Sequence, residues 1–188
     1  MRQAQTKAVV IGASAGAVEA LSVILPALPA SFSLPIVVVV HVPSDRRSIM
    51  ADLFGAKCQL AVREAEDKEP LSGGTVYFAP PDYHLLIEAD KSLSLSNEEP
   101  VLFSRPSIDV LFESAADAFG PELLAIVLTG ANQDGARGLR AVTDAGGIAI
   151  VQDPKAAFAS AMPEAALAMC PNARVMPLPA IADYLKEV

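Results

Sequence analysis

Lys7 to Leu25, KAVVIGASAGAVEALSVIL, constrain the fold more than any other stretch: an apolar, β-branched run stops at a glycine, and a serine precedes an amphipathic segment. Ala8-Val9-Val10-Ile11 is continuous rather than alternating, the pattern of a strand buried on both faces of a parallel sheet. Val18, Leu21, Ser22 and Leu25 recur at helical spacing, and Gly12 and Gly16 bracket the turn between. Such a junction lifts its middle residue, Ser14, above the sheet edge. Helix N-terminal N–H groups then point at that place, which suits an anion or a developing oxyanion. Ser14 is therefore open to three readings: an N-cap, part of a phosphate or nucleotide loop, or a nucleophile on the tight turn of G-x-S-x-G. G-x-G-x-x-G is not met, because Ser14 stands at the second glycine, and the lysine of a P-loop is missing.

The alternation of strand and helix continues along the chain. Ile36 to Val40 reads as a second buried strand ending at His41-Val42-Pro43; Ser48 to Phe54 as a short helix; Cys58 to Val62 as a third strand; and Glu64 to Glu69 as a solvated charged turn. From Ser72 to Ser96 the period changes, and Thr75 to Phe78, Leu85 to Glu88 and Leu93 to Leu95 read as short strands of an antiparallel excursion. Ser107 is placed to cap a helix whose buried stripe is Ile108, Leu111, Phe112 and Ala115, with Gly120-Pro121 ending it. Leu123 to Leu128 is another buried strand, followed by the glycine-flanked loop Thr129 to Gly135 and a helix to about Ala145. A strand at Ile148 to Val151, a helix at Met162 to Met169, a strand near Arg174 to Met176 and a helix from Pro179 to Lys186 complete the pattern. It predicts a doubly wound α/β domain, Rossmann-like: a mostly parallel sheet flanked by helices, with a small antiparallel excursion near residues 72–96.

Composition narrows the function classes. At 188 residues the chain suits a single domain, 1–188, and 52% hydrophobic content with 5% aromatics points to an Ala, Val and Leu core. A net charge of -8, without a Lys/Arg run, argues against a nucleic-acid partner. Cys58 and Cys170 match no C-x-x-C pattern, so reduced thiols in a cytoplasmic protein are expected. Glu19 and the helical periodicity around it argue against a secretory h-region, and no apolar run is long enough to insert directly into a membrane. No H-E-x-x-H or comparable spacing is present, so neither a metal nor another cofactor is expected.

In open parallel sheets, residues just past the carboxyl ends of the strands converge even when far apart in sequence. Ser14, His41 and Asp134 all meet that condition. A serine hydroxyl is a poor nucleophile until a base takes its proton; an imidazole can do so near neutral pH, and a carboxylate fixes its tautomer and stabilises its cation. The structural alternatives are a hydrogen-bonded strand-end histidine at His41 and a helix N-cap at Asp134. Asp153 is the rival carboxylate, and His84, at the start of a predicted hairpin strand, is the poorer base. The order Ser, His, Asp differs from the Ser, Asp, His order of α/β-hydrolases.

IGASAGAVEAL (Ile11 to Leu21), VVHVP (Val39 to Pro43), YFAPPDYHL (Tyr77 to Leu85), SRPSIDVLFESAA (Ser104 to Ala116), LTGANQDGARG (Leu128 to Gly138) and AMPEAA (Ala161 to Ala166) together resemble the catalytic domain of the chemotaxis protein-glutamate methylesterases, CheB. The resemblance spans essentially the whole chain. It implies hydrolysis of γ-glutamyl methyl esters on the cytoplasmic domain of methylated chemoreceptors, with deamidation of receptor glutamines as a related activity. It places the nucleophile at Ser14, the base at His41 and the aspartate at Asp134, with backbone N–H groups near Ala15 and Ala131 as oxyanion candidates. The chain departs from the family loop L-T-G-M-G-x-D-G at Ala131 and Asn132, and from G-A-S-x-G-G at Ala17. Asn132 would keep a glycine-type turn by tolerating positive φ, and Ala131 opens space beside the oxyanion site. Typical family members carry a receiver domain ahead of the esterase domain; here the first strand begins at Ala8, so the expectation is a stand-alone domain that is constitutive, controlled by a separate regulatory protein, or excised from a longer chain. Two other classes stay open: a non-catalytic module that binds a receptor or partner, and a nucleotide- or phosphate-binding domain using the Gly12 to Gly16 loop. Arg105 is either a contact for an acidic receptor helix or a solvated helix-entry residue.

Overall fold

A computed structural model describes residues 4–42 and 49–188. The first strand, β1 (Ala8–Ala13), leads into α1 (Ala17–Ile24) and β2 (Ile36–Val40), then α2 (Met50–Gly55), β3 (Ala61–Glu64) and β4 (Thr75–Phe78). A hairpin, β5 (His84–Ile87) and β6 (Leu93–Ser96), precedes α3 (Ile108–Phe119). The remainder alternates through β7 (Leu123–Val127), α4 (Ala136–Asp144), β8 (Ile148–Gln152), α5 (Ala161–Met169), β9 (Arg174–Met176) and α6 (Leu178–Lys186). Seven strands form one parallel sheet in the order β3-β4-β2-β1-β7-β8-β9. This is the doubly wound architecture expected of the alternating pattern.

Strand residues alternate between two cores, which is why β1, β2 and β7 are apolar at every position. Val10, Val37 and Val127 face α3, α4, α5 and the hairpin, whereas Val9, Ile11 and Val38 face α1, α2 and α6. The chain winds from β1 toward β2 and β4 on one side and resumes with β7 and β8 on the other. The switch point therefore lies between β1 and β7, where open sheets of this kind leave a crevice beyond the carboxyl ends.

Three expectations need correction. Thr75 to Phe78 does not belong to an antiparallel excursion: as β4 it lies parallel between β3 and β2, buried at all four positions, and only β5 and β6 pair antiparallel. Four consecutive buried residues are the mark of an interior parallel strand, which the neighbouring Pro80-Pro81 and hairpin pattern obscured. The third strand runs over Ala61–Glu64 rather than Cys58 to Val62, and so takes Glu64 out of the charged turn; as a largely exposed edge strand it carries little hydrophobic signature. The short helix begins at Met50; Ser48, its expected start, and Pro43 lie outside the described residues.

Candidate active site

Strand register brings the first two candidates together. β1 and β2 pair Gly12 with Val39 and Ala13 with Val40, and the His41 N–H donates to Ala13 O at 3.2 Å. Continuing that register sets Ser14 beside His41 on adjacent strands, which in any sheet are about 4.8 Å apart. On the other side of β1, the Leu128 N–H donates to Gly12 O and the Ser14 N–H to Thr129 O, both at 2.9 Å. Loops from β1, β2 and β7 thus meet on one rim.

The turn after β1 depends on two glycines. Gly16 has φ of 84°, the left-handed region an L side chain avoids, and it is the residue that caps α1. A Cβ on Gly12 would lie 2.4 Å from Ile108 Cγ2, so the first residue of α3 sits directly over this strand end. The N-cap reading of Ser14 is therefore overturned: its carbonyl accepts from the Ala17 N–H at 3.0 Å, but its side chain caps nothing, because Gly16 holds that position. Among the described residues, the Ser14 hydroxyl has no hydrogen-bond partner.

Asp134 is fully buried and is not the cap of the helix that follows it; Gly135, with φ of 99°, is. Its carboxylate instead closes the N-terminus of α3. Oδ2 accepts from Ile108 N at 2.7 Å, and Oδ1 accepts from Asp109 N and Ser107 Oγ, each at 2.9 Å. The remaining position on Oδ2 takes His41 Nε2 at 2.7 Å. Burial pushes the Asp134 carboxyl up, but hydrogen bonds from His41 and from the Asp109 and Ile108 N–H groups outweigh it and hold the group below the usual carboxylate range. The helix N-terminus adds a field of the same sign. Asp134 is therefore an ionised acceptor, so His41 Nε2 must carry the proton.

That assignment leaves the lone pair of His41 on Nδ1. Nδ1 faces Asn132 Nδ2 at 3.2 Å, while Asn132 Oδ1 accepts from the Asp134 N–H at 3.0 Å. Asn132 does not have the positive φ expected of a glycine replacement; its contribution comes from the side chain.

The pattern also concealed Asp109, which reciprocates for α4. Its Oδ1 accepts from Gly135 N at 3.0 Å and Gly138 N at 2.7 Å, and burial, then repulsion from Asp134, raise its carboxyl to about 6 against the pull of those bonds. Phe112 and Ala116, three and seven residues on, are buried with it, so a charge on the apolar face was the available signal.

The rivals are occupied elsewhere. Asp153 caps its own turn by accepting from Lys155 N at 3.0 Å. His84 is buried between Ser107 N, which donates to Nδ1 at 3.2 Å, and Glu99 O, 2.9 Å from Nε2. Arg105 is ion-paired with Asp82 at 2.6 Å and donates to Asn97 O and Glu98 O, so it clamps its own loop. A cavity of about 350 Å³ lined by His41, Val42, Phe103 and Arg105 opens beside the imidazole. Thr129 ties the rim together, its Oγ1 donating to Ala15 O at 2.8 Å and accepting from Ala159 N at 2.9 Å. Among the described residues, the N–H groups of Ala15 and Ala131 find no acceptor, and no group of three or more His, Cys, Asp or Glu could hold a metal ion.

The family model for CheB methylesterase matches residues 9–185. A Leptospira interrogans protein with the provisional name protein-glutamate methylesterase/protein-glutamine glutaminase is 46% identical over 94% of this chain and 92% of its own length. Protein-glutamate methylesterase/protein-glutamine glutaminase 1 of Paramagnetospirillum magneticum is 37% identical over 96% of this chain, which spans 48% of that longer relative. The crystal structure of the Thermotoga maritima CheB methylesterase catalytic domain superposes with a TM-score of 0.93 at 34% identity, covering 98% of this chain and 99% of that one. The chain belongs to the CheB methylesterase family.

Proposed function

We propose that the chain, as a single catalytic domain, is a serine hydrolase that removes methyl esters from γ-glutamyl residues on the cytoplasmic domain of methylated chemoreceptors, and deamidates receptor glutamines by the same chemistry. The observation that carries this reading is the 2.7 Å bond between His41 Nε2 and the buried Asp134 carboxylate, on the rim where Ser14 emerges. The carboxylate accepts the hydrogen bond of the Nε2–H, so the lone pair on Nδ1 is the base. Nδ1 accepts the Ser14 proton as Oγ attacks the ester carbonyl carbon. The oxyanion forms against the N–H groups of Ala15 and Ala131, each such donor being worth about 2.7–4 kcal/mol in a transition state. His41 then protonates the departing methoxide, methanol leaves, and a γ-glutamyl ester remains on Ser14. Water attacks that ester, His41 takes its proton, and the proton returns to Ser14 Oγ as the γ-carboxylate of the receptor's glutamyl residue is released.

No helix of the described residues is long and apolar enough to cross a membrane, and the reading places the enzyme in the cytoplasm, where the receptor substrate would meet it. The test is methanol release from methylated receptor by wild type and Ser14→Ala. The variant is expected to fall to the uncatalysed background; equal rates would overturn the proposal and leave a binding module.

A further inference from the structure

We infer that Asn132 is a latch on the general base, its amide holding the one nitrogen of His41 that can accept the Ser14 proton until that amide lets go. The inference rests on the serine-hydrolase reading and deepens it. The orientation of the amide is fixed from its other end: Asn132 Oδ1 takes the Asp134 N–H at 3.0 Å, so it is the NH2 group that faces the ring. The tautomer of the ring is fixed too, because Nε2 must be protonated against the ionised Asp134. Nδ1 then presents a single in-plane lone pair, and Asn132 Nδ2 sits on it at 3.2 Å. One lone pair cannot serve the amide and the Ser14 hydroxyl equally well. The hydroxyl is correspondingly without a partner among the described residues, although Ser14 and His41 continue the registered ends of neighbouring strands.

Asn132 touches no reacting atom of a substrate. It is a positioning residue that stabilises the productive tautomer while competing for its free nitrogen. The two ends of its side chain can be separated by substitution. Asn132→Ala removes both bonds. Asn132→Asp keeps an acceptor for the Asp134 N–H but turns a carboxylate oxygen toward Nδ1, which favours a second proton on the ring and removes the base.

The experiment uses the intact protein and a small fluorophosphonate, which forms a P–O bond to an activated serine and releases fluoride. The fluorophosphonate is read together with the 15N signals of the His41 imidazole. A latch makes Asn132→Ala react about two- to tenfold faster than wild type, the effect of one neutral hydrogen bond, and makes Asn132→Asp react more slowly. It also shifts the Nδ1 signal in Asn132→Ala to that of a free lone pair and shows two ring protons in Asn132→Asp. The reverse order, with Asn132→Asp matching wild type and Asn132→Ala slower, assigns the side chain only to shaping the loop and overturns the latch. So does an Nδ1 signal that is identical in wild type and Asn132→Ala, whatever the rates. Ser14→Ala is the control: labelling equal to wild type would defeat the hydrolase reading, while the imidazole signals still decide the latch on their own.

Discussion

Asp134 stands just ahead of α4 yet binds the first N–H groups of α3, whereas Asp109 stands in the first turn of α3 and binds N–H groups at the start of α4. Both are buried, both sit at a helix N-terminus, and each repels the other. Their proton affinities nonetheless diverge. Asp134 spreads its bonds over both oxygens and gains the His41 imidazole, which holds it ionised; Asp109 takes two N–H groups on one oxygen, and burial lifts it to about 6. Helix capping alone therefore does not set a carboxylate's proton affinity. What separates the two is the imidazole that reaches one of them across the strand ends.

The largest expected effect comes from converting each to its amide. In Asp134→Asn the NH2 must face either Ile108 N and His41 Nε2 or Asp109 N and Ser107 Oγ, so buried donors lose their acceptor wherever it points. Each orphaned group costs about 1–3 kcal/mol, and the imidazole loses its tautomer control. On the proposed mechanism, loss of the carboxylate partner of His41 lowers turnover by about 10⁴-fold. Asp109→Asn can keep both of its bonds on Oδ1 and is expected to retain methanol release within about a factor of 3, since any readjustment is worth no more than part of one hydrogen bond. Urea unfolding and methanol release on the pair check this; comparable losses in both variants would break the distinction.

The next effect is in pH. Asp109 binds its proton more tightly folded than unfolded, so its contribution to stability is complete below the ordinary carboxylate range near 3.8 and is lost as pH rises through about 6. Linkage sets the size at up to about 3 kcal/mol. Asp134 has the opposite sign: its contribution is present above the ordinary range and is lost as pH falls through its lowered folded value. Asp109→Asn should therefore abolish the decline in stability between about pH 4 and 6 while leaving the loss on the acid side. Unfolding followed across that window would show a wild-type decline that persists in the variant if the assignment is wrong.

The sequence carried one side of this comparison better than the other. The strands that present Ser14 and His41 were legible because two buried faces leave a continuous apolar run, and the convergence of their ends follows from parallel topology. Ser107 was legible as a cap, and it does accept from Val110 N at 3.5 Å. The exchange between α3 and α4 joins residues about 25 apart in sequence, as in the Asp109 N–H to Asp134 bond, and no local pattern announces it. In the sequence Asn132 stands out only as a residue that tolerates a turn, because only the folded loop brings its amide to His41. The same holds for β4: four residues specify a strand, but its partners are chosen by the sheet.

The smallest expected effect tests whether the buried exchange, rather than the surface, holds α3 to α4. Arg137 Nε meets Glu113 Oε1 at 2.7 Å across the same two helices, but the side chains are 61% and 39% exposed. Solvent screening limits such a pair to about 0–1 kcal/mol, and Arg137→Ala should lie in that range with methanol release unchanged. Arg137 also draws the Asp109 carboxyl downward by its charge. Its removal should therefore move the pH-dependent decline in stability to slightly higher pH, a signature that loss of surface packing would not produce. A cost well above about 1 kcal/mol, or a decline that stays in place, would transfer the α3–α4 contact from the paired carboxylates to the surface ion pair.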